Sequence, residues 1–354
     1  MDDLVLAHRL RAVVGRSVPG VAVAIVDADG LRARAAVGVA DLASGVTAST
    51  DMSCLWFSMT KVVTVTAAMR LAEARLLDLD EPVLRHVPAV ALLKPRRDAA
   101  RITARHLMSH SAGIANPFPL SWIHRPDEAG PDLEEWVARL LLKHRRLRFE
   151  PGTRSSYTNL GTLVLGVVMQ RVTASPFTDL ISRQVLEPLG MRRTGFGLPA
   201  EGPHATGYHP RWSPMRVLLP RWVVGEPIGR WIALRPFLVD GAPYGGLVGP
   251  VEDTARFLRM HLRDGELDGV RLLTPAMTTA MREITTAGSR FDLGLGWFRP
   301  SRARRTGPPF VEHLGGGAGF FNIMRIYSTP RIGIAVMGNA TRYDIDAVAA
   351  LALG

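Results

Sequence analysis

A single cysteine, Cys54, occurs in the 354 residues, so no internal disulfide can form, and the lone thiol is expected to pack as a small apolar side chain. Lysine is almost as rare: of the 43 basic residues only Lys61, Lys94 and Lys143 are not arginine. No apolar run approaches the roughly 20 residues a transmembrane helix needs. The acidic start Met1-Asp2-Asp3-Leu4 also lacks the basic-then-apolar pattern of a signal peptide, so the expected location is cytoplasmic. Acidic residues are in short supply, 32 against 43, which leaves a formal charge of +11 and a pI near 10.8. The arginines are scattered, with short clusters at Arg96-Arg97, Arg145-Arg146 and Arg302 to Arg305. No zinc-finger spacing, RNA-recognition signature or basic zipper accompanies them, so a generally basic surface without a nucleic-acid partner is expected. Also absent are the Gly-x-Ser-x-Gly elbow of α/β-hydrolases and the Lys-Ser/Thr of a phosphate loop after Gly315 to Gly319. His106 and His110 are spaced i, i+4 but lack the glutamate of a zinc-peptidase helix, and read as structural. No metal and no cofactor are expected.

What is present suits a globular enzyme: 47% apolar residues, a mean hydropathy of +0.10 and length enough for two lobes. An opening helix precedes two strands, Val21 to Val26 and Leu31 to Val37, with an Asp-Gly turn signal between them. Helical spacing dominates from about 61 to 189, including Val62 to Leu77 and Leu160 to Val172. Residues 200 to 245 are rich in Pro, Gly, Trp and Arg and show no clear period. A helix over Val251 to Leu262 then leads to strand-like runs near Leu293 to Phe298, Val311 to Leu314, Phe320 to Tyr327 and Ile332 to Met337, and a last helix over Ile345 to Leu353. The expected class is an α/β (α+β) two-lobe fold. Residues 1–60 and 245–354 form a mixed lobe with an antiparallel sheet, and 61–244 form an inserted helical lobe with a loop-like 200–244 segment.

Three short stretches carry chemistry. In Trp56-Phe57-Ser58-Met59-Thr60-Lys61, a hydroxyl lies at the start of a helix with an amine one turn on. The helix dipole and a neighbouring amine that can take a proton would activate such a serine. An ordinary N-cap serine and a solvated lysine would look the same. In Tyr157-Thr158-Asn159, a phenol and a carboxamide precede a long apolar helix; a core tyrosine and a helix-capping asparagine are the plain alternatives. In His313-Leu314-Gly315-Gly316-Gly317, a histidine and a glycine run adjoin a strand; the histidine is equally compatible with a structural place in that strand.

Taken in order, Ser58-x-x-Lys61, Tyr157-x-Asn159 and His313-x-Gly315 resemble the signatures of the serine β-lactamase and penicillin-binding protein superfamily. The likeness is nearest to its class C branch, with the related family VIII carboxylesterases, D-aminopeptidases and DD-peptidase-like proteins. Leu76 to Val83, Ile102 to Ile114, Leu186 to Met191 and Gly333 to Asn339 extend it over nearly the whole chain. The resemblance implies that Ser58 is the nucleophile of an acyl-enzyme and that Lys61 and Tyr157 shuttle its proton. Asn159 would hold Lys61 and the substrate, and the N–H groups of Ser58 and Gly316 would hold the oxyanion. A phenol with a pKa of about 10 acts near neutrality only beside positive charge, which Lys61 and a protonated His313 would supply. Where the standard members have a lysine, this chain has His313, only partly charged near neutrality. Weaker carboxylate binding follows, which favours neutral esters.

The expectation is therefore a carboxylesterase on short or medium acyl esters. The alternatives are a D-amino-acid peptidase, DD-peptidase or weak β-lactamase, and a non-catalytic relative that binds a ligand or a membrane. Trp56 and Trp122 are expected to wall the acyl pocket. The segment from Arg211 to Phe237, where Trp212, Trp222 and Trp231 alternate with arginines, reads either as a loop covering the site or as a patch that meets anionic lipid or admits an acyl group.

Overall fold

The computed structural model describes every residue except 118–120, 201, 289–290 and 302–306, and for Met215 the backbone alone. The Arg302 to Arg305 cluster lies outside the described residues. Helix α1 (Asp3–Val14) is capped by Asp2, whose carboxylate accepts the N–H of Val5. Strands β1 (Gly20–Val26) and β2 (Leu31–Gly38) follow, joined by a turn in which the Asp27 carboxylate accepts the N–H groups of Asp29 and Gly30 at 2.9 Å. Every residue of β1 is buried, as a continuous apolar run demands of a strand covered on both faces. In β2 burial alternates, and Arg32 and Arg34 face out.

Next come α2 (Thr60–Glu73), α3 (Asn159–Thr173) and α4 (Val251–Leu262). The remaining strands are β3 (Phe291–Leu293), β4 (Phe298–Pro300), β5 (Phe310–Gly317), β6 (Phe320–Tyr327) and β7 (Ile332–Gly338), before a short α5 (Ile345–Ala349). One antiparallel sheet holds seven strands in the order β3-β4-β5-β6-β7-β1-β2. The N-terminal hairpin thus completes a C-terminal meander. Val21, Val23 and Ile25 point to the side covered by α1 and α5, while Ala22, Ala24 and Val26 point to the side covered by α4 and the helical region. Helices α2 and α3 are apolar nearly all round because both run through that second core. Among the described residues no single helix is long and apolar enough to cross a membrane.

Two sequence expectations change. The run from Leu293 to Phe298 is not one strand: Gly296, at φ +81°, turns it into the β3–β4 hairpin. The aperiodic segment 200–244 is not only loop. It carries a three-stranded sheet of Tyr208–Pro210, Trp231–Leu234 and Val224–Ile228, hidden from a period count by shortness, two prolines and a register shift. The end of the chain is helical to Ala349 and tightens to a 3₁₀ turn over Ala350–Leu353. Cys54 is buried, and burial pushes its thiol up to about 12.

Within the sheet, Glu312 of β5 lies opposite Arg325 of β6, and both are nearly excluded from water. The Arg325 guanidinium donates to the Glu312 carboxylate at 2.9 and 2.6 Å, and also reaches Asp346 and the Tyr327 hydroxyl. Replacing one partner of such a pair strands the other charge in the core, at a cost of about 3–5 kcal/mol. Arg325→Met should lower unfolding free energy by that order in denaturant titrations, and Glu312→Gln/Arg325→Met should recover part of it; a single variant as stable as the parent would remove the pair from the account.

Candidate active site

Ser58 lies in the 3₁₀ turn Phe57–Met59 that feeds directly into α2. Phe57 has a φ of +47°, a left-handed conformation costly for a side chain with a Cβ. Packing holds it there, with its ring 6.3 Å from that of Phe237 and 6.4 Å from that of Phe320. Upstream, Cys54–Leu55 pairs with Val248–Gly249, the Trp56 N–H donates to Leu247 O at 2.8 Å, and the buried Asn322 amide donates to Leu55 O at 2.7 Å. On the other side β5 passes so close that a Cβ on Gly315 would lie 2.1 Å from Trp56 O, and one on Gly317 would enter the Phe57 ring. The glycine run therefore lets a strand dock on the serine's turn, a close-approach role. β5 and β6 close through Ala318-Gly319 with Gly317 opposite Phe320, so ladder alternation turns the N–H of Gly316 away from β6 toward the open edge.

Lys61, the second residue of α2 and one turn on from Ser58, is 1% exposed. Its Nζ lies 3.0 Å from Ser58 Oγ and donates to the Tyr244 carbonyl at 3.1 Å, from the turn Ala242–Gly245. That turn is pinned to α2 by Thr64, which donates to Pro243 O at 2.7 Å. Among the described residues no carboxylate pairs with Lys61, and burial drives its pKa well below the usual lysine value.

Tyr157 has its hydroxyl hydrogen-bonded to Ser58 and its ring centroid 4.8 Å from Lys61 Nζ. The residue as a whole is only partly buried, because its ring walls the cleft, yet the surroundings of the phenol push its pKa above the ordinary value. Burial raises the phenol more than its hydrogen bond with Ser58 lowers it, so of the phenolate and the phenol that could shuttle the proton, the surroundings favour the phenol. The Ser109 to Asn116 loop positions it. Ser156 N–H donates to His110 O at 2.9 Å, Thr158 N–H to His110 Nδ1 at 3.3 Å, and Thr158 Oγ1 to Ala115 O at 2.8 Å. His110 stacks on Tyr157 with centroids 4.5 Å apart, and His106 closes the capping box of a short helix with Thr103. Both act structurally.

Asn159 does not hold Lys61, contrary to expectation: the Tyr244 carbonyl takes that place, and Asn159 Oδ1 is buried without a hydrogen-bond partner. Nor does it cap α3. Thr158 does so, accepting the Gly161 N–H at 3.2 Å, while the Asn159 N–H donates to Asn116 Oδ1 at 2.9 Å. His313 lies on β5, 6.1 Å between centroids from Tyr157 and 4.7 Å from Phe298. Its Nδ1 is 2.9 Å from Leu314 O, and a carbonyl can only accept, so Nδ1 carries the proton. Burial above all holds the ring well below the usual histidine pKa. The partial charge that the sequence allows at His313 is thus disfavoured by its burial, and with Nδ1 protonated the lone pair lies on Nε2.

The open space is a cleft of about 560 Å³. Ser58, Tyr157 and Gly316 line it with Asn116 and Arg148 on one side and Phe291, Leu293, Phe298 and Phe321 on the other. Trp56 and Trp122 are not its walls. Trp56 is fully buried with its indole N–H directed to Gly249 O, and Trp122 packs on Trp136 and Tyr244. Asn116, Tyr244 and Asn322 carried no motif signal, and a period or spacing search had no means of finding them.

With this geometry in hand, the chain is placed by comparison. It belongs to the Beta-lactamase family, whose pattern matches residues 6–353. Protein Rv1367c of Mycobacterium tuberculosis is 33% identical over 263 residues, 70% of this chain and 63% of its own, so the present chain spans less than two thirds of that relative. Penicillin-binding protein 4 of Amycolatopsis lactamdurans is 28% identical over 350 residues, covering 93% of this chain and 84% of that one. Among solved structures, EstCE1, a hydrolase with promiscuous acyltransferase activity, superposes with a TM-score of 0.77 at 24% identity over 99% of both chains, a likeness of fold.

Burial holds His110 at about 3, far below the ~6.5 of a free imidazole. A histidine whose folded pKa is depressed adds stability above ~6.5 and loses it as the pH falls toward the folded value. Unfolding free energy should drop between pH 6 and pH 4, about 1.4 kcal/mol per unit of it from His110 alone. Urea titrations of His110→Asn, which keeps an acceptor for Thr158, should give a slope shallower by that amount; identical slopes would show that His110 is not buried neutral.

Proposed function

We propose that the protein is a serine hydrolase that works through an acyl-enzyme on Ser58 and prefers neutral carboxylic esters. The observation that carries the ester preference is the tautomer of His313. An imidazole that spends its N–H on Leu314 O and stays uncharged offers a carboxylate neither a cation nor a donor. His313 is buried behind the cleft lining, so substrates that need a cation at this position for a carboxylate, as penicillins would, lose a charge-assisted contact. The apolar side formed by Phe291, Leu293, Phe298 and Phe321 suits an acyl chain.

The steps follow from the polar groups. Ser58 Oγ bonds to the acyl carbon as the neutral Lys61 amine takes its proton, a role open to a buried lysine but closed to arginine. The Ser58 and Gly316 N–H groups receive the oxyanion. The Tyr157 phenol gives its proton to the departing alkoxide and is reprotonated from Lys61. Water then attacks the ester carbonyl of the acyl-enzyme. Its proton passes through the same pair, and Ser58 Oγ leaves as the alcohol. Tyr157 thus serves as a relay and an acid.

An amide or peptide hydrolase is the second reading. The relative named as a penicillin-binding protein favours it, and so does Arg148, a cation at the cleft that could receive a terminal carboxylate. The test has three parts. A fluorophosphonate probe should label the parent and not Ser58→Ala. A panel of p-nitrophenyl esters, nitrocefin and D-alanyl peptides should then rank the esters first by kcat/KM. His313→Lys should shift the ratio toward nitrocefin by roughly tenfold or more, the scale of one charged hydrogen bond. Cleavage of D-alanyl peptides with inert esters would overturn the ester reading, and an unlabelled parent would leave a ligand-binding relative.

A further inference from the structure

Arg211 to Arg230 form a projection beside the cleft, and its surface chemistry is unlike the rest of the molecule. The 3₁₀ turn Pro214–Leu218 and its flanks leave Trp212 83%, Val217 79% and Leu218 52% exposed. Leu219, Val223 and Trp231 are buried beneath them, so the projection has its own anchors and its apolar tip is not a frayed end. Arg211 lies 5.0 Å over the Trp212 ring, and its backbone N–H donates to Arg230 O at 2.9 Å, which brings both ends of the segment together. Arg216, Arg221 and Arg230 are exposed. Arginines elsewhere commonly meet a carboxylate, as at Asp27, Glu81, Asp80, Glu134 and Asp51. Arg211, Arg216, Arg221 and Arg230 form no ion pair among the described residues, and Glu226 is the sole acid between residues 202 and 239.

Four unneutralised guanidiniums around a tryptophan and two aliphatic side chains are the composition that partitions into a charged interface. The rings and aliphatics enter the headgroup layer, and the guanidiniums meet phosphate. We propose that this projection docks the protein on a bilayer surface rich in anionic headgroups. Pro210, Arg230 and Trp231 border a second cleft of about 740 Å³, and that cleft shares Phe291, Leu314 and Phe321 with the one holding Ser58. A lipid-borne ester held at Arg230 and Trp231 would thus adjoin the wall shared with the Ser58 cleft. That consequence rests on the hydrolase reading; the docking does not.

Vesicle co-sedimentation tests it without any need for activity. The full chain should pellet with phosphatidylcholine vesicles carrying about 30% phosphatidylglycerol, and far less with phosphatidylcholine alone or at high salt. Arg211→Gln/Arg216→Gln/Arg221→Gln and, separately, Trp212→Ser/Val217→Ser/Leu218→Ser should each lower the partition coefficient roughly tenfold or more, with melting temperatures near the parent's. The control Arg145→Gln/Arg146→Gln, an exposed pair outside the projection, should bind as the parent does. Three outcomes would overturn the proposal: no binding to anionic vesicles at low salt, an equal loss in the control, or binding to a single-stranded RNA homopolymer that depends on the projection while vesicles stay unbound.

Discussion

Taking the Lys61 amine out of water is the constraint on which the site turns. Buried at 1% exposure with no carboxylate partner among the described residues, the side chain is held toward its neutral form, because a lone buried cation is far costlier than a buried amine. The polar groups packed around it are a backbone carbonyl from Tyr244, the phenol of Tyr157, and the imidazoles of His110 and His313, each of the last three pushed by its own burial toward its neutral form. The site keeps one mobile proton among several neutral groups in place of a fixed ion pair. A chain that has replaced nearly every other lysine with arginine retains one here, where arginine could never give up its proton.

The scaffold supplies the matching precision. Three separate parts of the chain meet at Ser58: the start of α2, the loop-held Tyr157 before α3, and β5 of the sheet. The left-handed Phe57 is trapped between Phe237 and Phe320, and Asn322 ties the sheet to the carbonyl of Leu55. Glycines at 315 and 317 remove the side chains that would hold the strand off. Strain at one residue and missing Cβ atoms at two others are two sides of one fit.

Much of this was legible in the residues. Apolar alternation and runs mark β1, β2, β6 and β7 within a residue, and helical spacing marks α3 and α4 within a residue and α2 within four. Those signals survive because each element buries the stripe its period creates. The order of the motifs alone points to Ser58, Lys61, Tyr157, His313 and Gly316 as one site. The failures are of another kind. The three-stranded sheet within 208–234 has strands too short for a period to register, and Gly296 splits a run whose composition is strand-like throughout. Trp56 was misplaced because nearness in sequence was taken for nearness in direction, whereas successive side chains diverge. The protonation of Tyr157 and His313 depends on burial, a property of the assembled core that no local pattern encodes.

Cys54 sits four residues ahead of Ser58, its sulfur sealed in the core and its proton held tightly. A thiol in that condition is mute toward alkylating reagents while the surrounding strands stay shut. With no second sulfhydryl in the polypeptide to confuse the signal, the speed at which maleimide is consumed becomes a clock for transient opening of the very segment that presents the reactive alcohol.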